Sequence, residues 1–246
     1  MDIKAIIFDI NGTLVDIRTE EGNEEIYRSI SHFLTYQGMH IHRRELRDEY
    51  FSIMAEQRRA SAEAFPEFDT VALWREFLRR RPQACKALPT AKLRLLPLIL
   101  SEMYRGISRT RLQLFPEVEN VLDGLARRFR LAVLSDAQSA WAEPELRAVG
   151  IHGHFKPIIV SGDFGFRKPD PRLFQAALDG LGLGPEEALF VGDDMYRDVY
   201  GARRMGLKTI YFASRQGGKA VEGVEPDYII YQFAELPTAI AFLEAH

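Results

Sequence analysis

The sequence predicts an α/β fold: a doubly wound parallel sheet with a large helical insertion. Three features carry that expectation. Four short apolar runs each stop abruptly at polar residues. Helical patterns lie between them, and more than a hundred residues separate the first run from the second.

The first run, Ala5-Ile6-Ile7-Phe8, stops at Asp9, and Leu131-Ala132-Val133-Leu134 stops at Ser135. Ile158-Ile159-Val160 stops at Ser161, and Ala188-Leu189-Phe190-Val191 stops at Gly192-Asp193. Unbroken apolar runs of this length fit strands covered on both faces. Residues 171–181 set Leu173, Phe174, Ala177, Leu178 and Leu181 on one helical face, with Pro171 in the first turn and Gly182 as the stop. Strands alternating with helices build a parallel sheet, and such sheets take their ligands at the carboxyl ends of the strands. Polar residues far apart in sequence thus converge on one rim. Residues 16–111 are rich in Arg, Glu, Leu and Ala, and Leu73, Trp74, Phe77 and Leu78 make one apolar face. This stretch far exceeds a simple crossover. It reads as a helical domain inserted into a core made of residues 1–15 and 112–246. Gly180-Leu181-Gly182-Leu183-Gly184 resembles a nucleotide loop only superficially: it follows a helix and precedes a strand, the reverse of the required order.

Composition narrows the function. The 246 residues are 46% hydrophobic and 27% charged, and 32 Lys and Arg face 35 Asp and Glu for a net charge of -3. A nucleic-acid binder would carry a strongly basic domain, so none is expected as a partner. The run Arg79-Arg80-Arg81 reads as a solvated helix end. Cys85 is the only cysteine, which rules out an intramolecular disulfide and points to a reducing compartment. The first apolar run is too short for a signal segment, and the stretch from Leu93 to Leu100 holds Arg94 and Pro97. A soluble cytoplasmic protein with no membrane partner is expected, either monomer or homodimer.

The polar residues that end the runs carry the chemistry. Asp9 opens Asp9-Ile10-Asn11-Gly12-Thr13-Leu14. With an unperturbed pKa of about 3.9, a carboxylate is a nucleophile at neutral pH without a base. It needs relief from repulsion by an anionic phosphate, which a divalent cation and a lysine supply. Asp193, Asp194 and Asp198 offer carboxylates of the kind Mg²⁺ prefers. Lys168, just ahead of a helix start, suits an anion, and Ser135 can donate to a phosphoryl oxygen.

Together these stretches resemble the four motifs of the haloacid dehalogenase superfamily, in order across essentially the whole chain. The first is similar to Phe8-Asp9-Ile10-Asn11-Gly12-Thr13-Leu14 and the second to Leu134-Ser135. The third is similar to Arg167-Lys168-Pro169-Asp170-Pro171, and the fourth to Val191-Gly192-Asp193-Asp194 with Asp198. The resemblance implies a Rossmann-like core with a C1-type helical cap, and a Mg²⁺-dependent hydrolase of small phosphorylated metabolites that works through an aspartyl-phosphate. It makes Asp9 the nucleophile. Ser135 and Lys168 hold the phosphoryl group, with Gly12, Thr13 and Asp136 on the substrate side. Asp9, Asp193 and the backbone carbonyl of Asn11 bind Mg²⁺, and Asp198 supports the metal. Substrate choice falls to the cap, where Arg43, Arg44, Arg47, Arg58 and Arg59 are candidates for contacting an anion.

One position departs from the pattern. Phosphatases of the family usually place an acid–base aspartate two residues after the nucleophile, where this chain has Asn11. An amide can neither protonate a leaving alkoxide nor take a proton from water. The leaving group then needs little protonation, or the chemistry is that of a dehalogenase or phosphonatase, or the protein binds a phosphorylated ligand with weak or no turnover. Asp136 and Asp194 are the neighbouring carboxylates that could stand in.

Overall fold

The structure, a computed structural model, describes residues 2–86, 88–218 and 220–245. A six-stranded sheet has the order β5-β4-β1-β6-β7-β8. Its strands are β1 (Ala5–Phe8), β4 (Arg130–Ser135), β5 (Ile158–Val160), β6 (Ala188–Gly192), β7 (Lys208–Phe212) and β8 (Tyr228–Ile230). Every neighbouring pair is parallel. The central strand β1 is fully buried, and the alternation of its side chains splits the core in two. Ile6 and Phe8, with Val133 and Val191, pack under α6 (Val118–Leu125), α7 (Ser139–Ala148) and α10 (Leu236–Ala245). Ala5 and Ile7, with Leu134 and Phe190, pack under α8 (Pro171–Leu181) and α9 (Gly201–Arg204). Helices therefore cover both faces of the sheet. Each buried Leu, Ile or Phe contributes about 1.5–3 kcal/mol.

The helix read from residues 171–181 forms as its sequence dictates. Asp170 caps it by accepting from the backbone N–H of Arg172, and Gly182 closes it in the left-handed region at φ 62°. Gly184 then leads through a short 3₁₀ turn into β6, so the glycine-rich stretch is a helix-to-strand turn.

Between β1 and β4 the chain differs from an all-helical expectation. A two-stranded antiparallel ribbon pairs β2 (Val15–Thr19) with β3 (Arg109–Leu114). Its cause is visible in the residues: Val15, Ile17, Leu112 and Leu114 alternate with polar neighbours, a period of two. The helices of the insertion run only from residue 24 to residue 108: α1 (Glu24–Tyr36), α2 (Arg43–Ala60), α3 (Thr70–Arg79), α4 (Pro82–Cys85) and α5 (Thr90–Ser108). They share an apolar cluster around Trp74, Tyr50 and Tyr104, which also takes in Trp141 from α7. Arg105 and Arg109 bind the buried Glu145 of α7 at 2.7 and 3.1 Å, tying the insertion to the core. Arg79 and Arg80 pair with Glu76, and Arg81 pairs with Glu49. The arginine run is thus neutralised by its own helices. No helix among the described residues is long and apolar enough to cross a membrane.

The far edge of the sheet depends on one carboxylate. Asp227 accepts from the backbone N–H and the hydroxyl of Thr209 at 2.9 and 3.0 Å, and from Lys208 at 2.8 Å. Burial works against its charge, but Lys208 and the Thr209 bonds prevail and hold its pKa below the usual carboxylate range. A depressed folded pKa gives stability that is present above the unfolded value and lost as pH falls through the folded one. Asp227→Asn is expected to destabilise the protein by about 1–3 kcal/mol at pH 7. In urea melts, the difference from wild type should shrink as the pH is lowered below the ordinary aspartate range.

Candidate active site

Sheet register assembles the rim. Phe8 of β1 lies opposite Val133 of β4 and Val191 of β6, so Asp9, Ser135 and Asp193 leave three adjacent strands at nearly one level. Asp9 is 6% exposed, and its backbone N–H donates to Val191 at 3.0 Å. Lys168 comes from the loop before α8, with its ammonium 2% exposed. It donates to Asp9 Oδ1 at 2.9 Å, to Asp198 Oδ1 at 2.6 Å and to the Leu134 carbonyl at 3.3 Å. Burial alone would strip its proton, but Asp198, Asp9 and Asp136 reverse this and hold its pKa above the ordinary lysine range.

Asp193 faces Asp9 from the end of β6. Its carboxylate accepts from Thr13 Oγ1 at 3.0 Å and Ser214 Oγ at 3.1 Å. Burial raises its pKa, and the charges of Asp9 and Asp198 raise it further. Gly12 makes room for it: with φ at 89°, a side chain there would be strained, and a Cβ would sit 2.1 Å from Asp193 Oδ2. A Cβ on Gly217 or Gly218 would likewise fall 2.1 Å from the Asp193 backbone carbonyl oxygen and 2.5 Å from Asp194 Oδ2, respectively. Asp198 gives Oδ1 to Lys168 and Oδ2 to the backbone N–H groups of Asp193 and Asp194, at 3.1 and 2.9 Å. A π-helical turn, Met195–Tyr200, returns it beneath the loop it steadies.

Carboxylate oxygens of Asp9, Asp193 and Asp198 lie within 4.8 Å of one another, all buried. Three buried carboxylates against the single ammonium of Lys168 leave an excess of negative charge in a low-dielectric site. A hard divalent cation bound by oxygen fits that donor set. Three further atoms are conspicuous. Asn11 Oδ1, Ser135 Oγ and Asp136 Oδ2 are buried with no hydrogen-bond partner among the described residues. Ser135 ends β4, and Asn11 and Asp136 lie just past the ends of β1 and β4. Buried polar atoms are normally satisfied, so orphans in one place point to a bound ligand.

The structure thus brings together Asp9, Asn11, Gly12, Ser135, Asp136, Lys168, Asp193 and Asp198. Thr13, expected on the substrate side, is fully buried and gives its hydroxyl to Asp193 instead. Of the cap arginines, Arg43 pairs with Glu24 at 3.5 Å, and Arg58 lies over Phe68 and 3.8 Å from Glu67. Arg44, Arg47 and Arg59 are exposed. Sequence reasoning missed Ser214, Arg197 and Glu67. Ser214 had a signal, since it follows the end of β7 as the other rim residues follow their strands. Arg197 binds Asp194 at 2.9 Å and stands 3.6 Å from Asp136. Glu67, in the segment between α2 and α3, accepts from Ser161 Oγ at 2.9 Å across the seam between insertion and core.

A family model of haloacid dehalogenase-like hydrolases matches residues 3–206. The chain belongs to that family. Among curated relatives, this hydrolase is 27% identical over 244 residues to the glyceraldehyde 3-phosphate phosphatase of Pyrococcus furiosus, covering 98% of this chain and 93% of that protein. It is 40% identical over 104 residues to the phosphoserine phosphatase of Thermus thermophilus, a match that spans 42% of each chain. Among solved structures, a 2-haloacid dehalogenase from Pseudomonas syringae superposes with a TM-score of 0.71 at 23% identity, covering 98% of this chain and 99% of that one. At that identity the likeness concerns the fold.

Among the described residues Lys168 is the only ammonium bonded to Asp9 and Asp198, and truncating one partner of a buried ionic cluster typically costs about 3–5 kcal/mol. Lys168→Met should lower unfolding stability by roughly that amount in guanidinium melts with EDTA present. A loss under about 1 kcal/mol, the scale of an exposed ion pair, would show that the cluster does not depend on this cation.

Proposed function

We propose that the chain is a Mg²⁺-dependent phosphatase of small phosphorylated metabolites that forms an aspartyl-phosphate on Asp9. The observation that carries the reading is the set around Asp9: a buried ammonium on one side, the excess carboxylates of Asp193 and Asp198 on the other, and the unpartnered Ser135 Oγ between strands. The relatives named as phosphatases support it. Displacing halide from carbon needs no metal, so the surplus of carboxylates favours phosphoryl transfer over dehalogenation. We assign residues 16–111 to a cap and the remainder to the core, with the ribbon of β2 and β3 as the joint between them. The lone Cys85 favours a reducing, cytoplasmic setting.

In the reaction, Asp9 Oδ attacks phosphorus in line with the leaving oxygen. Lys168 and Ser135 bind the phosphoryl oxygens, and the bond from Lys168 keeps Asp9 aimed. Mg²⁺, held by Asp9, Asp193 and the Asn11 carbonyl with Asp198 steadying the loop, would neutralise charge on the phosphoryl group. Water then attacks the aspartyl-phosphate and regenerates the Asp9 carboxylate. The amide of Asn11 takes no part in proton transfer, a role typically contributing about 10²–10⁴-fold.

Hydrolysis of p-nitrophenyl phosphate tests the reading, because its good leaving group needs little protonation. Wild type should turn it over with Mg²⁺ and stop in EDTA, and Asp9→Asn should lose about 10³-fold or more. A folded wild type with no turnover in either condition would instead favour a protein that binds a phosphorylated ligand without hydrolysing it.

A further inference from the structure

We propose that Asp136 is the general acid and base that position 11 lacks, its Oδ2 giving a proton to the leaving oxygen and later taking one from water. The proposal rests on the phosphatase reading above. It follows from which carboxylates near the nucleophile have an oxygen to offer. Asp194 has none: Oδ1 accepts from the backbone N–H groups of Tyr196 and Arg197 at 3.0 and 2.8 Å, and Oδ2 from Arg197 Nε at 2.9 Å. Glu67 has none: Oε1 accepts from the Phe68 N–H at 3.0 Å and Oε2 from Ser161 Oγ at 2.9 Å. Both oxygens of Asp198 are taken as well. Asp136 differs. Its Oδ1 accepts from the Lys168 N–H at 2.9 Å, which fixes the carboxyl, while Oδ2 is buried with no hydrogen-bond partner among the described residues and lies 3.6 Å from Arg197 Nη1, beyond hydrogen-bond distance.

Position agrees with role. Asp136 follows Ser135 at the end of β4, so it belongs to the loop expected to wrap the phosphoryl group, and the orphaned Ser135 Oγ stands beside it. The groups facing it are Lys168 and Asp9 from the rim, Arg197 from the π-helical turn and Glu67 from the insertion. Burial raises the pKa of Asp136 and Asp9 adds to this, while Lys168 and Arg197 oppose without cancelling it. A carboxyl that keeps its proton to higher pH than usual suits a general acid. In the first half-reaction Asp9 Oδ bonds to phosphorus, the phosphorus–oxygen bond to the leaving group breaks, and the Asp136 proton moves to that oxygen. In the second, water oxygen bonds to phosphorus, the bond to Asp9 breaks, and the water proton returns to Asp136. The enzyme ends as it began, with inorganic phosphate released.

The test compares glycerol phosphate, whose alkoxide needs a proton, with p-nitrophenyl phosphate, whose phenolate does not. Asp136→Asn keeps an acceptor for the Lys168 N–H. Its kcat/KM on glycerol phosphate should fall by about 10²–10³-fold, against about tenfold or less on p-nitrophenyl phosphate. The high-pH limb of the glycerol phosphate profile should vanish in the variant. Adding Asn11→Asp to Asp136→Asn should recover at least about tenfold on glycerol phosphate, which a merely structural lesion would not allow. Equal losses on both substrates with the high-pH limb intact would overturn the proposal and leave the phosphatase reading standing. Wild type inactive on both would sink the reading and the proposal together. Should Asp136→Asn fail to fold, wild type alone decides. A high-pH limb on glycerol phosphate that is absent with p-nitrophenyl phosphate supports a protonated donor, and identical profiles exclude it.

Discussion

A single buried ammonium holds the rim of this sheet together. Lys168 reaches from the loop before α8 to Asp9 at the end of β1, to Asp198 in the turn after β6 and to the carbonyl of Leu134 in β4. Each of those carboxylates would resist burial alone, because a desolvated charge without a partner costs several kcal/mol. The lysine joins segments from different parts of the chain and holds Asp9 and Asp198 close together. Asp193 receives no bond from it, and among the described residues its carboxylate has hydroxyl donors only, from Thr13 and Ser214. The imbalance is therefore localised on one side of Asp9, where a cation has most to offer.

The glycines explain how the rim can be so crowded. Gly12, Gly192, Gly217 and Gly218 each stand where a Cβ would fall within 2.5 Å of an atom of Asp193, Asp194 or Asp198. Removing side chains from the surrounding backbone lets three segments close on three aspartates without displacing them. The setting of Asp193, Asp194 and Asp198 is in this sense built by absence, and the donors that remain come mainly from backbone N–H groups and short hydroxyls. Such donors reorganise little when charge moves, which is the physical basis of electrostatic preorganisation.

Much of this was legible in the sequence, and for one reason. Strands β1, β4 and β6 are buried on both faces, so they appear as unbroken apolar runs, and a residue just past such a run lies on the rim by topology. Asp9, Ser135 and Asp193 were found that way. The same logic fails where burial is one-sided. Strands β2 and β3 alternate apolar residues with Asp16, Arg18, Arg111 and Gln113, and among so many charged residues that period is easily taken for helix. The partners of rim residues were less visible still. Whether Thr13 faces substrate or Asp193, and whether Asp194 or Asp136 keeps a free oxygen, depends on side-chain direction. Asp194 is consumed because the π-helical turn that follows presents two N–H groups and the Arg197 guanidinium to it, and no spacing in the sequence reveals that.

The loop after β4 is where fold, insertion and chemistry meet. Gln138 accepts from the Thr70 N–H at 2.9 Å and donates to the Phe68 carbonyl at 2.7 Å, so the segment before α3 is hydrogen-bonded to the core only three residues from Ser135. Ser161 links the same places from beneath, accepting from the Ala137 N–H and donating to Glu67. Seating the insertion and shaping the loop after β4 are thus linked. Lifting the insertion would break the bonds of Gln138 to Thr70 and Phe68 and the bond of Ser161 to Glu67, and the loop that carries Asp136 would loosen with them. On the proposed mechanism an insertion coupled in this way steadies the loop that carries Asp136, and proton transfer would depend on the insertion being in place.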